Sequence, residues 1–186
     1  MNGIEVKGTG LISTRTYVKE KHPERYNDWF NTLPSDCQLL YSGVISSSDW
    51  FDVEKYYYTP LKAIANMFFG GNEQKTAIEV GKFSADFGLK GVYKVFLLVA
   101  SPQSLMKAAK RIISMYYRPV DAEISEVNKK SIILTATKLH KSSEILDYRT
   151  IGWCIKALEL VNCKNVTFHK TQGTDPQNFS VKFTWD

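Results

Sequence analysis

The spacing of hydrophobic positions changes about two-thirds of the way along the chain. Before Val120, apolar side chains recur every three or four residues. After it the period is two, apart from one further helical stretch. The first regime predicts consecutive amphipathic helices and the second predicts antiparallel strands. Together they predict one α+β domain over residues 1–186. Its mainly helical part (1–119) packs on a small antiparallel sheet formed by the C-terminal third (120–186), where two hairpins flank one helix.

Individual elements follow from local punctuation. Ile4-Glu5-Val6-Lys7 alternates between glycines and predicts a short strand or extended arm. A helix over 11–21 stops ahead of Pro23, because proline disfavours helix in the residue before it. Pro23 suits the first turn of a second helix, which aligns Tyr26, Trp29, Phe30 and Leu33 on one face. Pro34-Ser35-Asp36 opens another short turn or helix. Ser48-Asp49 reads as the cap of a long helix carrying Trp50, Phe51, Tyr57, Tyr58, Leu61, Ile64 and Phe68, which Pro60 would kink or divide. Gly70-Gly71-Asn72 breaks the chain, and a helix to about Leu89 is expected to bury Ile78, Val80, Phe83 and Phe87.

The apolar stretch 92–99 fits a buried helix better than a strand. Ser101-Pro102 starts the next helix, with a cap followed by proline, and Pro119 stops it. A hairpin then turns at Asn128-Lys129, setting Ile132, Leu134 and Ala136 on one face and Ile133, Thr135, Thr137 and Leu139 on the other. Ser142-Ser143-Glu144 opens a helix whose apolar face includes Ile145, Tyr148, Ile151, Ile155 and Leu158. A second hairpin, over 166–170 and 179–185, spans the Gly173-Thr174-Asp175-Pro176 loop and points Val181, Phe183 and Trp185 one way.

Composition sharpens this picture in three places. Aromatic residues make up 13% of the chain, which favours a large core, a lined pocket or an apolar interface. The formal charge of +5 is spread among acidic neighbours. Lys107, Lys110 and Arg111, with Lys62, are first a solvated helix face and second a candidate surface for anions or nucleic acid. Cys37, Cys154 and Cys163 are odd in number and widely spaced, which argues against a disulfide framework and a zinc knuckle. Free thiols suit a reducing compartment. The longest apolar run, Val95 to Ala100, is too short to span a bilayer, so a cytoplasmic protein is expected.

No set of residues reads as a catalytic centre, and a non-enzyme is expected. His22, His140 and His169 share no spacing that would co-ligate a metal. Cys154 lies on a helix between apolar neighbours, where thiols are usually inert. Gly8-Thr9-Gly10 opens a helix, but the dinucleotide-binding pattern needs a third glycine where Ser13 stands. Asp49 with Asp52, and Glu123 with Glu126, read as caps and solvated charges. The helical aromatics are core residues, or some of them wall an apolar ligand cavity or a dimer face. Three consecutive tyrosines, Tyr56, Tyr57 and Tyr58, cannot all point inward at 100° per residue, so at least one is exposed or covered by a partner.

Several stretches in order carry a resemblance: Ser48-Asp49-Trp50-Phe51 and Pro60, then Gly70-Gly71-Asn72 and Gly81. Ser101-Pro102-Gln103-Ser104-Leu105 and Tyr116-Tyr117-Arg118-Pro119 come next. Ile151-Gly152-Trp153, Leu158-Glu159-Leu160 and Phe183-Thr184-Trp185 complete the series. This order is similar to a bacterial family first noted as Myxococcus paralogues, related to the four-vinyl-reductase domain, the H-NOX heme domain and the TRAPP subunits. The resemblance implies a helical bundle on an antiparallel sheet, with a ligand cavity between them in several members.

It implies a sensory or regulatory module binding a small hydrophobic ligand or a protein partner, or else a homodimeric assembly subunit. It does not carry heme over. The helix matching the H-NOX ligand helix, Pro102 to Tyr117, has no histidine, and the Tyr-x-Ser-x-Arg motif is absent. No cofactor is therefore expected. Phe83, Phe87, Phe96, Met106 and Trp153 are the candidate cavity lining, and Tyr56, Tyr57 and Tyr58 the candidate partner interface.

Overall fold

A computed structural model describes residues 3–89, 100–137, 144–172 and 178–186. The expected helix over 92–99, Phe96, Leu139, His140, the Ser142-Ser143 cap and the Gly173-Thr174-Asp175-Pro176 loop lie outside the described residues.

The chain opens with β1 (Glu5–Lys7) running directly into α1 (Gly8–Lys21). A 3₁₀ turn (Pro23–Arg25), α2 (Tyr26–Asn31) and α3 (Ser35–Ser42) follow. The helix expected from Ser48 is corrected here: Trp50–Asp52 form a strand, β2. The reason is tertiary. Phe51 pairs with Val6 across an antiparallel ladder, and Val53 N–H bonds to Ile4 C=O at 3.0 Å. Helix begins only after that, as a π-helical turn (Glu54–Tyr58) leading into α4 (Thr59–Phe68). Pro60 is the second residue of α4, in helical backbone continuous with the π-helical turn, and the Tyr56 carbonyl four residues before it accepts from the Tyr41 hydroxyl at 2.9 Å in place of the missing N–H.

α5 (Glu73–Leu89) and α6 (Pro102–Tyr116) lie where the pattern predicted helices. Ser101 caps α6 by accepting from the Ser104 N–H at 3.1 Å. The buried side of α5 differs from expectation: it is Thr76, Ala77, Val80, Gly81 and Ala85, whereas Phe87 is 47% exposed. Small residues face inward because another helix passes close by.

Two antiparallel sheets complete the fold. β3 (Tyr117–Arg118) joins β1, giving the order β2-β1-β3. β4 (Asp121–Val127), β5 (Ser131–Thr137), β6 (Thr167–Gln172) and β7 (Phe179–Thr184) form the second sheet, ordered β4-β5-β7-β6. Ile132 lies opposite Phe183 and Leu134 opposite Val181, so the apolar faces of the two hairpins meet in register, all four side chains buried. The class is α+β, as the sequence predicts, with the N-terminal three-stranded sheet as an addition.

Between the hairpins runs α7 (Glu144–Leu160), buried over most of its circumference. It crosses α5 at two glycines. A methyl group on Gly81 would drive into the Arg149 carbonyl oxygen, and one on Gly152 into the Ile78 carbonyl oxygen. The helices thus touch backbone to backbone. On its other side α7 is tied to β6 by Lys170, whose Nζ lies 2.7 Å from Asp147 Oδ2.

Overpacking a tight interior contact costs about 1–3 kcal/mol. Gly81→Ala and Gly152→Ala should therefore each destabilise the fold by about 3 kcal/mol in urea denaturation, because backbone atoms cannot step aside. Gly43→Ala, whose added carbon would meet only ordinary contacts at 3.7 and 3.8 Å, should change stability by no more than about 0.5 kcal/mol.

Candidate functional site

Beside the α5–α7 crossing lies a recessed cavity of about 250 Å³. The first turns of α1 contribute Thr9, Gly10 and Ser13, and the π-helical turn contributes Tyr57. α5 presents Gly81, Ser84, Phe87 and Gly88. Ile112, Ile113 and Tyr116 come from α6, Tyr117 from β3, and Arg149, Thr150 and Trp153 from α7. Most of the wall is hydrocarbon. None of these lining residues is acidic.

Arg149 dominates the electrostatics. It is 3% exposed. Its Nη2 donates to Ser13 Oγ at 3.0 Å and to Ser84 Oγ at 2.6 Å. Ser13 gives its own proton to the Gly10 carbonyl at 2.9 Å, leaving its oxygen free to accept. The guanidinium also lies over the Tyr57 ring, 4.7 Å from its centroid. Nη1 is buried and has no hydrogen-bond partner among the described residues. Burial pushes the guanidinium down to about 9, with only Tyr41 acting in the opposite direction. It therefore remains charged at neutral pH, with no carboxylate beside it among the described residues. An uncompensated buried charge costs several kcal/mol.

Thr9, another of the lining residues, has a buried hydroxyl with no hydrogen-bond partner among the described residues. The amino end of α1 has no side-chain cap and no acidic residue in its first turn; its first N–H, that of Gly8, donates to the Asp49 carbonyl at 2.9 Å. The remaining polar groups are neutral. The Tyr57 and Tyr117 hydroxyls bond to each other at 3.0 Å, and burial raises the Tyr117 pKa.

The residues singled out by sequence have different locations. Phe87 and Trp153 line this cavity, Phe87 at its rim. Phe83 lies on a neighbouring groove with Tyr17, His22 and Phe68, its ring 5.4 Å from that of Tyr17. Met106 is fully buried in the core. Among the tyrosines, Tyr57 lines the cavity and Tyr58 is buried. Tyr56 is half-buried, edge-on to Phe51 at 6.2 Å.

Sequence reasoning missed Arg149, Ser13, Ser84 and Thr9. One signal was readable: Arg149 stands four residues after Ile145, on a face otherwise apolar, and arginine is almost never fully buried without a reason. The two serines carried no signal, since only the crossing of distant elements brings them to the guanidinium.

The donor set does not fit a heme. α6 carries no histidine, and among the described residues no histidine, cysteine or methionine lines the cavity. Two of the three lining phenols, Tyr57 and Tyr117, are tied to each other. At about 250 Å³ the space is below the roughly 300–1,000 Å³ typical of drug-sized ligand pockets, and a porphyrin needs more. Among the described residues, no three histidine, cysteine or acidic side chains gather as metal ligands. The thiols are pushed up by burial, Cys37 and Cys163 to about 11 and Cys154 to about 12, so none is a nucleophilic thiolate at neutral pH.

No protein-family profile and no curated protein matches the sequence. Solved structures do match the fold. An H-NOX protein from K. algicida, as a point mutant, superposes with a TM-score of 0.73 at 12% identity, covering 97% of this chain and 96% of that one. An H-NOX protein from S. oneidensis gives 0.72 at 13% identity, covering 97% and 96%. A Tt H-NOX double mutant gives 0.69 at 13% identity, covering 96% and 94%. At such identities the likeness establishes an H-NOX-like fold.

The uncompensated charge has a measurable energetic consequence. Replacing a buried ion by an apolar side chain of similar volume is often neutral or stabilising by about 1–4 kcal/mol. Arg149→Met should therefore leave the ligand-free protein as stable as wild type, or more so, in chemical denaturation. A loss above about 2 kcal/mol would mark the guanidinium as a structural tie instead.

Proposed function

We infer that this chain is a non-enzymatic sensory or regulatory module that takes a small ligand directly into the cavity between α1, α5, α6 and α7, with no heme between ligand and protein. The observation that carries this reading is the cavity's wall: hydrocarbon over most of its area, with the buried guanidinium of Arg149 among its lining residues and no carboxylate beside that charge among the described residues. A recessed, largely apolar space with a few polar groups is the usual form of a small-molecule site.

The fold supports the reading. Its neighbours are H-NOX proteins, among them ones described by their Fe(II) state and by heme distortion. The resemblance of the sequence to the Myxococcus paralogues and the four-vinyl-reductase and TRAPP groups is consistent with a shared chamber put to different uses. The three thiols are free and buried, which suits work inside the cell. A homodimeric assembly role would have to rest on Tyr56 and its surroundings, since Tyr57 and Tyr58 are interior.

Two measurements test the reading. Hemin titrated into the protein should give no saturable, stoichiometric Soret band; a sharp band at one heme per chain would contradict it. Native mass spectrometry of protein purified from its own host should show a small extra mass that is lost on denaturation. Ile112→Phe, which fills the cavity from α6, should abolish that mass while changing stability by less than about 1.5 kcal/mol.

A further inference from the structure

We propose that the groove between α1 and α5 is a second binding site, separate from the cavity, for an aromatic amino acid: its ring lies on Phe68, Phe69 and Phe83, its ammonium on Glu79 and its carboxylate on Lys82 and Lys21. The proposal does not depend on what the cavity holds.

The groove has a volume of about 560 Å³, within the range of small-molecule sites. Its floor is a run of rings. Tyr17 comes from α1 and His22 from just beyond it, Phe68 and Phe69 from the end of α4, and Phe83 from α5. His22 stacks on Phe68 with ring centroids 3.8 Å apart, and Tyr17 meets Phe83 edge-on at 5.4 Å. Burial lowers the His22 pKa, so this ring is uncharged at neutral pH. Phe68, Phe69 and Phe83 are only half-buried, and all three line the groove. A further ring laid on them would find the offset and edge-to-face partners that aromatic side chains prefer.

The charges around this floor fall into two sets. Lys156 lies 3.7 Å from both Asp86 and Glu159, which offset it. Glu79, Lys82 and Lys21 behave differently: none of the three forms an ion pair among the described residues. Glu79 and Lys82 stand three residues apart on α5, a spacing at which opposite charges can close a pair, and they do not close one. Lys21 follows Tyr17 by one turn of α1. Glu79 lies close enough to the Tyr17 hydroxyl that its charge, after burial, helps to push that pKa up to about 12. One unpaired carboxylate and two unpaired ammonium groups thus border a single aromatic floor. An amino acid with a ring side chain carries the complementary charges on one carbon, and the resulting hydrogen bonds are charge-assisted. An amine or an acid alone would answer one sign and leave the other without a partner. The cavity offers no such match, since no acidic residue lines it among the described residues.

The test is titration of the full chain with L-phenylalanine, followed by amide chemical shifts. Phenethylamine lacks the carboxylate, hydrocinnamate lacks the ammonium and glycine lacks the ring. Phenylalanine should bind saturably at one site, at least fivefold more tightly than either ring analogue, and glycine should not bind. Glu79→Gln should erase the preference over hydrocinnamate, and Lys21→Met with Lys82→Met the preference over phenethylamine. None of these three side chains is buried, so an unchanged melting curve is expected for both variants. No saturable binding of phenylalanine overturns the proposal, as does an analogue that binds equally well, or a preference that survives its variant. Ile112→Phe, which fills the cavity, should leave phenylalanine affinity unchanged; loss of binding there would move the ligand to the cavity and overturn the groove site. A failure of phenylalanine to bind strikes the groove alone, because the cavity reading is decided by the mass of the natively purified protein.

Discussion

The crossing of α5 and α7 is the contact on which the rest of the structure depends. Gly81 and Gly152 let two helix backbones meet with no side chain between them. That approach sets Arg149, one turn ahead of Gly152, opposite Ser84, one turn beyond Gly81. Packing and site are therefore one geometric fact. The glycine that admits the Arg149 backbone also decides where the guanidinium ends. α1 lies against the same pair and brings Ser13 and Thr9 to the cavity, while the β1–β3 pairing brings Tyr117 to its wall.

The cost of this arrangement is concentrated in one side chain. A hydrophobic residue at position 149 would fill space without desolvating a charge. The arginine instead keeps part of its hydrogen-bonding capacity unused, in surroundings where unused capacity is expensive. Stability lost at one point and recoverable by binding is the usual condition of a functional site. The H-NOX-like fold supplies the chamber, and the chemistry of the chamber comes from this chain's own residues.

Much of the fold was legible because hydrophobic period is a local signal. The α6 cap at Ser101, the hairpin alternation around Ile132 and Leu134, and the breaks at Pro34 and Gly70 are written in neighbouring residues. The strand at Trp50–Asp52 was not, because Ser48-Asp49 looks like a helix cap and only pairing with β1 overrides it. The inward face of α5 was misjudged for a related reason. Phe83 and Phe87 are its large apolar residues, but the close passage of α7 admits only small ones, such as Ala77 and Gly81. The cavity depended on still longer-range information: Ser13, Ser84 and Arg149 lie far apart in sequence, and only Arg149, on an otherwise apolar helix face, carried a local signal. Ser13 was noticed only as the residue that spoils a glycine motif, and in the fold it accepts a hydrogen bond from the buried arginine.

The most direct test of the central claim is a crystal structure of the protein purified from its own host, read at Arg149. The account predicts a guanidinium held by Ser13 and Ser84 beside a small bound molecule whose apolar part lies against Trp153 and Ile112. An Arg149 side chain paired with a protein carboxylate or turned out to solvent, or a porphyrin in the cavity, would contradict it.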